Sequence, residues 1–538
     1  MTTDDLLARS RKEIVRMEEV LELLGEGLEA LGAEASASTQ IRSEEEPRKR
    51  FKLINRNQLM IRPVDVEKLV EADHPVRAIW AMVCELDWSR FEDDVKVVEG
   101  GKGRSKTDPR LLAALWIYAY SEGVNSAREL SRMCSHEPGC EWLTGMEEVN
   151  YHTLSDFRTK DKEAQDDLFK QVLGRLSAEG LTDLKRVMQD GTKIRAQASG
   201  NSFRREDTLR EHLKLAQEQI EAMGSPDSEE LSQRVIKAKQ RAAREKKQRL
   251  KLALEELQKF EQNRQESEKA SRVSESDPEA RMMKQSDGGF APSYNVQVCT
   301  EASNKIIVAV ETTQAGTDYD ELVHGIDAVH TNTGQTPEQM VVDGGYIKNA
   351  NIEEAAERGV DLIGPVAESN PVASLKQRGV SPDFYPDKFR YDKQTDTFIC
   401  PAGKTLTFQR SSRHDGRIEH QYRAKAADCQ SCPFRDECCP KASPRMVIRK
   451  EDSEAVKAFR AKMQTEQAKQ IYRSRAEVAE TPNAWIKAKF GLRQFRLRGL
   501  RKVGIEAVWA CLTYNIRQWI RLIWKPQLAT VSAAVAGM

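Results

Sequence analysis

Two short apolar runs in the middle of the chain are each followed by an Asp-Gly pair. Residues 186–198 read Arg-Val-Met-Gln-Asp-Gly-Thr-Lys-Ile-Arg-Ala-Gln-Ala and predict a strand whose end presents Asp190 from a tight turn. Residues 339–346 repeat this design and present Asp343 in the same way. Taken singly, an Asp-Gly pair is most often just a turn, whereas two such carboxylates are candidates for one metal site.

The pattern around these two strands predicts a mixed sheet. Alternating or apolar residues at 293–300 and 305–311 are joined by a short polar turn and predict a β-hairpin. Helices are expected at 319–330 and 349–358, and an apolar strand is expected at 360–365. The order strand, long helical insertion, hairpin, helix, strand, helix and strand therefore favours a mixed α/β sheet.

Residues 51–180 have the pattern of a compact helical domain. Asp108 stands at the expected cap of a helix that has proline at its first position, and similar signals recur along the segment. Residues 100–106 form a flexible basic loop between helices, with Arg104 and Lys106 as candidate DNA contacts. A helix-turn-helix DNA reader has this composition, and so has an ordinary helical bundle with surface Lys and Arg.

A long charged segment, residues 204–272, separates the Asp190 strand from the next predicted strand. Its apolar residues keep a narrow seam among dense Glu, Lys, Arg and Gln. This composition predicts a helical hairpin or coiled coil that is broken near residues 224–227. Its basic face, from Arg241 to Lys251, suits DNA, although a solvated helix face is the simpler interpretation.

Composition limits the class of protein without deciding it. The 538 residues carry no net charge, 39% are hydrophobic and 31% are charged, which indicates several units with long polar segments. Residues 1–47 contain twelve acids against five Lys and Arg, whereas residues 485–525 contain ten Lys and Arg against one Glu. A polyanion would therefore be bound locally. No apolar run has the length of a membrane span and the N-terminus is acidic, so a cytoplasmic protein is expected.

Five of the ten cysteines lie in one short polar window. A Cys-x-x-Cys pair with further thiolates nearby has the spacing of a tetrahedral zinc site, and such clustering in a large chain favours a metal over disulfides. We expect a structural zinc ion held by Cys400, Cys429, Cys432 and Cys438, with Cys439 as the alternative fourth ligand. The competing interpretation is a group of reduced, packed cysteines.

A predicted helix near the C-terminus offers a third carboxylate. Mg²⁺ and Mn²⁺ prefer carboxylate oxygens, and a phosphoryl-transfer site needs only two or three acids that converge from rigid elements. We therefore expect Asp190, Asp343 and Glu480 to share one metal site. Glu477 is the nearby alternative to Glu480.

Basic and aromatic residues accompany Glu480 on the same predicted helix. Lys487 lies seven residues beyond Glu480, which puts both on one helix face two turns apart. Tyr472, Arg473 and Arg475 precede them. A carboxylate on a metal, with Lys and Arg along the same face, is a suitable arrangement for holding DNA phosphates beside the ions. A proline at position 482 requires the helix to start or to kink close to Glu480.

Several motifs occur along the chain in a fixed order. In the core they are Asp190-Gly-Thr-Lys-Ile, Asp277-Pro-Glu-Ala-Arg-Met-Met-Lys284, Tyr294-Asn-Val-Gln297, Val342-Asp-Gly-Gly-Tyr346, the cysteine window, Tyr472 to Lys487, and Arg496-Leu-Arg-Gly499. In the helical region they are Asp73-His-Pro, Gly101-Lys-Gly-Arg104, Asp108-Pro-Arg and Gly123-Val-Asn-Ser-Ala-Arg128. Together they resemble the bacterial insertion-sequence transposases of the DDE class, over roughly residues 55–525.

The resemblance implies an RNase H-like catalytic core. In such a core Asp190, Asp343 and Glu480 are the DDE triad and hold two Mg²⁺ or Mn²⁺ ions. It also implies the family's Y-R-E-K signature, whose members here are Tyr472, Arg473 or Arg475, Glu480 and Lys487. After this Glu the family commonly has an aromatic residue and Gly, whereas residues 481–484 of this chain are Thr-Pro-Asn-Ala.

The predicted organisation places this catalytic core between accessory segments. The expected divisions are an N-terminal helix and acidic linker (1–47), a helical DNA-binding domain (48–182), the first part of the core (183–203 and 273–388), a charged helical insertion (204–272), a zinc-binding insertion (389–446), the catalytic-Glu helix with basic C-terminal helices (447–525), and a tail (526–538).

Such a transposase is expected to bind the terminal inverted repeats of its element, cut strands with metal-activated water, and join the freed 3′-hydroxyl to target DNA. The expected partners are double-stranded DNA and further copies of the chain, as a homodimer or higher multimer associated with the nucleoid. Arg498 and Lys502 in the basic C-terminal segment are further candidate DNA contacts. The alternatives are a non-catalytic, regulatory DNA-binding descendant of such an enzyme and a metal-dependent nuclease without joining activity.

Overall fold

A computed structural model of the chain describes residues 63–92, 106–222, 233–262, 271–366, 371–414, 417–440 and 444–536. The predicted N-terminal helix and linker, Arg104 and the expected helix break at 224–227 lie outside these residues. From Val64 onward the described residues belong to one compact unit. None of the helices in the described ranges is both long enough and apolar enough to cross a membrane.

The first part of the described chain is helical, as its capping signals predict. The helices are α1 (Pro75–Cys84), α2 (Ser89–Glu92), α3 (Pro109–Ser121), α4 (Ala127–Met133), α5 (Pro138–Thr144), α6 (Tyr151–Thr159) and α7 (Lys162–Ala178). The side chain of Asp108 accepts a hydrogen bond from the Arg110 backbone N–H at 2.8 Å, which confirms it as the cap of α3. Helix α3 is buried from Leu112 to Tyr120, so it forms the centre of this region.

A mixed sheet follows the helices. Its strands are β1 (Arg186–Arg195), β4 (Arg281–Lys284), β5 (Phe290–Glu301), β6 (Ile307–Thr313), β7 (Gln339–Val341) and β8 (Asp361–Ile363). Strand β1 pairs antiparallel with β5 and parallel with β7, which in turn pairs parallel with β8. Strand β5 also pairs antiparallel with β6 and, along its first residues, with β4. The predicted hairpin and the mixed character of the sheet are therefore confirmed.

The predicted end of the first strand is wrong, because β1 continues past the Asp-Gly pair. Asp190 pairs with Val298 and Gly191 with Gln297 in an unbroken register. The physical reason is the length of β5, whose twelve residues offer partners to the whole of β1. Asp343, in contrast, does follow its strand directly and caps a 3₁₀ turn over Gly344–Tyr346.

Helices cover the sheet and join it to the helical region. They are α10 (Glu321–Thr333), α11 (Asn349–Glu357), α15 (Glu454–Met463), α16 (Glu466–Arg473), α17 (Arg475–Ala484), α18 (Leu500–Trp519) and α19 (Lys525–Ala536). Helix α18 packs against β6, α3 and α7 and is buried on all sides, which fits its largely apolar sequence. One hydrophobic core therefore runs from the helical region into the sheet.

The charged segment after β1 forms two helices, α8 (Glu206–Ala222) and α9 (Gln233–Gln262), which pack against each other. Leu209, Ala216, Leu250 and Leu257 are buried between them, so the predicted apolar seam is the contact surface. The short strands β2 (Phe203–Arg204) and β3 (Val273–Ser274) pair where this segment leaves and rejoins the rest of the chain.

The cysteine window belongs to a small unit with a second sheet. Its strands are β9 (Arg390–Asp392), β10 (Thr397–Ile399), β11 (Thr405–His414), β12 (Arg417–Ala424) and β13 (Met446–Glu451), and its helices are α12 (Pro371–Gln377), α13 (Ala426–Gln430) and α14 (Arg435–Cys438). The sheet is antiparallel, in the order β13-β12-β11-β10-β9. Phe398, Leu406 and Tyr422 contribute to a hydrophobic core of its own.

Candidate active site

Asp190 and Asp343 come together because their strands are neighbours. Strands β1 and β7 run parallel, with Met188 paired to Val341, so both carboxylates follow at the same edge of the pairing. Burial raises the pKa of the Asp190 carboxyl; the charge of Arg475 opposes this rise, and the negative charge of Asp343 adds to it. Oδ1 of Asp343 accepts a hydrogen bond from the Gly345 backbone N–H at 2.7 Å, which fixes its rotamer.

Glycines next to the two aspartates make room for a third acidic side chain, Asp318. A Cβ atom on Gly345 would stand 3.0 Å from Oδ1 of Asp343 and 3.8 Å from Oδ2 of Asp318. A Cβ atom on Gly191 would collide with Oδ1 of Asp318. Asp318 therefore packs against Gly191, on the sheet face opposite to the Asp190 side chain, because neighbouring residues of a strand face opposite sides. The sequence did not reveal this contact.

Helix α17 reaches Asp190 from the C-terminal part of the chain. The Arg475 guanidinium lies 3.3 Å from Oδ1 of Asp190, and Nδ2 of Asn483 donates a hydrogen bond to Oδ2 at 2.9 Å. Burial lowers the pKa of the Lys487 ammonium, and the charge of Asp190 opposes this effect. A π-helical turn, Trp485–Lys489, carries Lys487 at the end of α17.

The two candidate glutamates on α17 are both exposed. Glu480 makes no hydrogen bond or ion pair with any residue that the structure describes, whereas Glu477 pairs with Lys305 at 2.8 Å. Glu480 lies three residues before Asn483, and residues three apart are neighbours on a helix surface. The backbone of Glu480 is therefore one helical turn from a direct contact with Asp190, although its side chain faces solvent.

The other predicted residues have more varied positions. Tyr472 is partly buried against the main core, and Arg473 is exposed. Arg498 donates from Nε to the backbone oxygen of Gln197 at 3.1 Å, beyond the end of β1, while Lys502 and Lys106 are exposed. The segment before Arg498 also follows β1, because the Phe495 N–H donates to the Arg195 oxygen at 2.8 Å. Basic side chains thus continue along one side of the Asp190 strand.

The donor chemistry beside Asp190 and Asp343 suits a divalent cation. Asp343 lies close enough to Asp190 for its charge to raise the pKa of that carboxyl, and Oδ1 of the buried Asn483 has no hydrogen-bond partner among the described residues. Carboxylate and amide oxygens are the ligands that Mg²⁺ and Mn²⁺ take in proteins. The described residues contain no group of three or more His, Cys, Asp or Glu side chains arranged to hold a metal ion.

The five clustered cysteines line one small cavity, together with Lys404 and Arg445. The backbone N–H of Lys404 donates to Sγ of Cys400 at 3.2 Å, and that of Arg445 donates to Sγ of Cys429 at 3.5 Å. Burial, together with the charges of three neighbouring cysteines, raises the pKa of the Cys438 thiol to about 12, although the charge of Arg445 opposes this rise. The five cysteines thus border one cavity, with backbone donors directed at two of the sulfurs.

Two family models match the chain, and they cover both ends of this architecture. A model described as "Transposase DDE domain" matches residues 399–520, and "Transposase domain (DUF772)" matches residues 64–160. The first match includes the cysteines and helix α17 but begins after the first strands of the cysteine unit, and the second includes most of the helical region. The two matches indicate a DDE transposase of the insertion-sequence kind.

More distant comparisons add little to this identification. The solved structures similar to this chain include a cryo-EM structure of the piggyBac transposase synaptic complex with hairpin DNA. It is 10% identical and has a TM-score of 0.28, with 87% of this chain and 75% of that chain covered, and at this level it carries no structural argument. A search of curated proteins found no match.

Proposed function

We propose that this protein is an active transposase that binds the terminal inverted repeats of its insertion sequence, cleaves the DNA strands and transfers them to a target. The observation that carries this proposal is the convergence of α17 on Asp190, beside Asp343. Three segments far apart in sequence thus meet at one pair of carboxylates, next to a basic stretch of chain. A structural role alone does not require such a concentration of ionisable groups.

The sheet order supports an RNase H-like core as the scaffold of this site. Two antiparallel neighbours, β5 and β6, extend from one side of β1, and two parallel neighbours, β7 and β8, extend from the other. Asp190 lies on the central strand and Asp343 follows the adjacent one. In this arrangement rigid elements position both carboxylates, as preorganised catalysis requires.

In the proposed site Asp190, Asp343 and Glu480 hold two divalent cations. When bound, the ions activate the attacking water or hydroxyl and stabilise the leaving oxygen. Glu480 lies one helical turn from Asn483, on a helix that already contacts Asp190 through Arg475 and Asn483. Glu477 is less suitable because its carboxylate is already paired with Lys305.

The chain's own residues orient the DNA and the acids. Arg475 and Asn483 fix the Asp190 carboxylate, and Lys487 brings a positive charge close to it. Arg473, Arg498 and Lys502 on the same side are suited to phosphate contacts, with Tyr472 supporting the helix from the core. Lys106 and, from the sequence, Arg104 are further proposed phosphate contacts, so binding is expected to weaken steeply with salt.

We propose that the accessory segments keep the predicted divisions. The helical region of residues 48–182 binds terminal-repeat DNA, residues 204–272 form a helical hairpin, and residues 389–446 form a zinc-stabilised unit. The separate hydrophobic cores of the insertion and of the cysteine unit support the last two divisions. Two ends must be held together during transposition, so a homodimer or higher multimer on DNA is proposed.

The proposal of a structural zinc ion in the cysteine unit rests on the cysteines that line one cavity. Cys400, Cys429, Cys432 and Cys438 are the proposed ligands, with Cys439 as the alternative to Cys438. Backbone N–H groups directed at thiolate sulfurs stabilise their negative charge, and two such contacts are present here. Four thiolates leave no open position, so this zinc would be structural.

One observation favours a second candidate, a regulatory descendant without catalysis. The exposed side chain of Glu480 leaves Arg475 and Asn483 as the residues of α17 that contact Asp190. The guanidinium of Arg475 neutralises part of the negative charge of Asp190. A divalent cation would otherwise neutralise that charge. Such a protein would bind terminal repeats and leave them intact.

A strand-transfer assay with the full-length protein separates the candidates. Wild-type protein, Mn²⁺ and labelled terminal-repeat DNA are expected to give cleaved and joined products, and Asp190→Ala is expected to give neither while still binding DNA. Asp327→Ala is the matched control, because this exposed aspartate pairs with Arg358 on the outer side of α10. Products from Asp190→Ala would disprove the site, binding without cleavage by the wild type would support the regulatory candidate, and cleavage without joining would indicate a nuclease.

A further inference from the structure

The two helices of the charged insertion carry opposite charges. In α9, residues 237–251 contain eight Lys and Arg against one acid, Glu245. The partner helix α8 contains five acids against two Lys and Arg. A hairpin that needs charge only for solubility has no reason to separate the two signs in this way, because mixed signs at helical spacing stabilise each helix. The first half of α9 is therefore a distinct basic surface.

Five of its cations form a stripe along one side of α9. They follow one another at steps of three or four residues, which brings side chains to one helix face: Lys237, Arg241, Arg244, Lys247 and Lys251. Lys247 is half-buried and the other four are exposed. The buried side of α9 is elsewhere, at Leu250, Ala253 and Leu257, where it packs against α8. At a rise of about 1.5 Å per residue, this basic stripe is about 21 Å long.

The cations of the basic stripe repel one another. Each step along the stripe joins two like charges, and like charges three or four residues apart destabilise a helix. Arg241 lies 3.9 Å from Glu245, whereas the other four cations form no ion pair with any residue that the structure describes. The repulsion is removed when an extended polyanion lies along the stripe. This arrangement thus favours a bound polyanion over a solvated helix face.

The second half of α9 fixes the basic stripe to the mixed sheet. Glu256 is 4% exposed and pairs with the Arg281 guanidinium, which lies 4.4 Å from the centre of the Phe260 ring. Arg281 begins β4, and β4 pairs with β5 of the mixed sheet. Along the helix, the stripe begins roughly 8 Å from Glu256 and ends roughly 29 Å from it. The cations therefore stand on a rigid support, as a binding surface requires.

We propose that the basic stripe binds the phosphate backbone of double-stranded DNA without reading its sequence. This inference rests on the proposed function, because it adds a DNA surface to the same transposase. Duplex DNA carries one charge per about 1.7 Å of its axis, so a stripe of this length faces roughly a dozen phosphates. Lys and Arg contacts to phosphate position DNA and carry no sequence information. The competing occupant is the acidic α8 of a second copy of the chain.

Neutralising the stripe in the full-length protein tests the proposal. The stripe variant is K237Q/R244Q/K247Q/K251Q, in which Gln keeps a high helix propensity. Fluorescence anisotropy measures Kd at several NaCl concentrations for a terminal-repeat duplex and for a scrambled duplex of the same length. Each phosphate contact contributes about 0.9 to the slope of log Kd against log salt concentration, so this slope should fall by roughly 3 to 4 for both duplexes. The double variant R244Q/K247Q should lose roughly half as much.

The matched control removes the same total charge from other exposed positions. Four exposed lysines, each beside an acid, are replaced by Gln: Lys68, Lys185, Lys388 and Lys457. This control variant should keep the salt dependence of the wild type for both duplexes. Circular dichroism establishes that the stripe variant and the control variant are folded, and the double variant gives the same comparison if the stripe variant is not.

The outcomes separate this inference from the proposed function. A stripe variant with the wild-type salt dependence would disprove the role of the stripe and leave the proposed function standing. A reduced slope for the terminal repeat alone would show that the stripe reads sequence, against the proposal. Wild-type protein without any preference for the terminal repeat would contradict the proposed function, whereas a slope reduced for both duplexes would still support the stripe. Light scattering without DNA tests the competing occupant: a smaller mass for the stripe variant, with an unchanged slope, would assign the stripe to a second copy.

Discussion

Asn483 donates a hydrogen bond from Nδ2 to Oδ2 of Asp190 at 2.9 Å, across a sequence separation of 293 residues. Helix α17 is thereby fixed to the central strand of the sheet at the carboxylate itself. Asn483 belongs to the segment 481–484, Thr-Pro-Asn-Ala, at which the sequence differs from the transposases that it resembles. The departure places a polar group directly on a proposed metal ligand.

Removal of this amide is expected to slow DNA cleavage. A hydrogen bond to a charged group contributes ~1.5–3 kcal/mol, so Asn483→Ala should reduce the single-turnover cleavage rate by roughly tenfold to a hundredfold. The measurement is cleavage of terminal-repeat DNA at saturating protein. Thr481→Ala on the same helix is the control, because its hydroxyl donates to the Glu477 backbone oxygen within the helix. An unchanged rate for Asn483→Ala would show that cleavage does not depend on this hydrogen bond to Asp190.

The choice between Glu480 and Glu477 predicts opposite results for two conservative variants. Glu480→Gln is expected to reduce cleavage by at least roughly a hundredfold, as loss of a preorganised charge at a reacting centre does. Glu477→Gln removes only the exposed ion pair with Lys305, which contributes little, and should leave cleavage unchanged. The same single-turnover assay measures both. Inverted results would make Glu477 the third acid, and full activity of both would show that neither glutamate is a metal ligand.

Local patterns predicted the elements of the fold better than they predicted the site. The β5–β6 hairpin, the cap at Asp108 and the seam between α8 and α9 follow from short-range periodicity and capping chemistry, so the sequence sufficed. The continuation of β1 through Asp190 depends on its distant partner β5, and no local signal could overrule an Asp-Gly pair. Asp318 lies in a polar loop with no periodic pattern, and only the fold brings it to Gly191 and Gly345.

A buried glutamate is expected to hold the C-terminal helix and the helical region together. Glu506 is fully buried and accepts backbone hydrogen bonds from Arg496 at 3.1 Å and Leu497 at 3.0 Å. Burial raises the pKa of Glu506, and the charge of Arg158 acts in the opposite direction. Arg158 in turn donates to the Asn125 backbone oxygen at 2.8 Å and stacks over Trp116.

Glu506→Gln should therefore lower the free energy of unfolding by ~1–3 kcal/mol, because it removes one carboxylate acceptor of the Arg496 and Leu497 backbone N–H groups and the buried charge that acts on Arg158. Urea denaturation followed by circular dichroism measures the change. Glu163→Gln is the control, since this exposed glutamate pairs with Arg501 on the surface and its loss should change the stability little. Equal stability of the two variants would mean that the backbone hydrogen bonds, and not the charge, hold this junction.

The cysteine unit is expected to depend on zinc for its stability. Its hydrophobic core is small, and five cysteines line one cavity beside it, together with Phe384 and Leu406. Purified protein should contain about one zinc ion per chain, since the proposed ligands form a single tetrahedral site. Cys429→Ser should lose this zinc and increase proteolysis within residues 389–446, and a chelator should do the same to the wild type. Elemental analysis and limited proteolysis measure the two effects.

Cys84→Ser is the control, because this exposed cysteine lies in the helical region at the end of α1. Zinc-free protein whose cysteine unit resists proteolysis with or without chelator would establish the alternative, a group of reduced and packed cysteines.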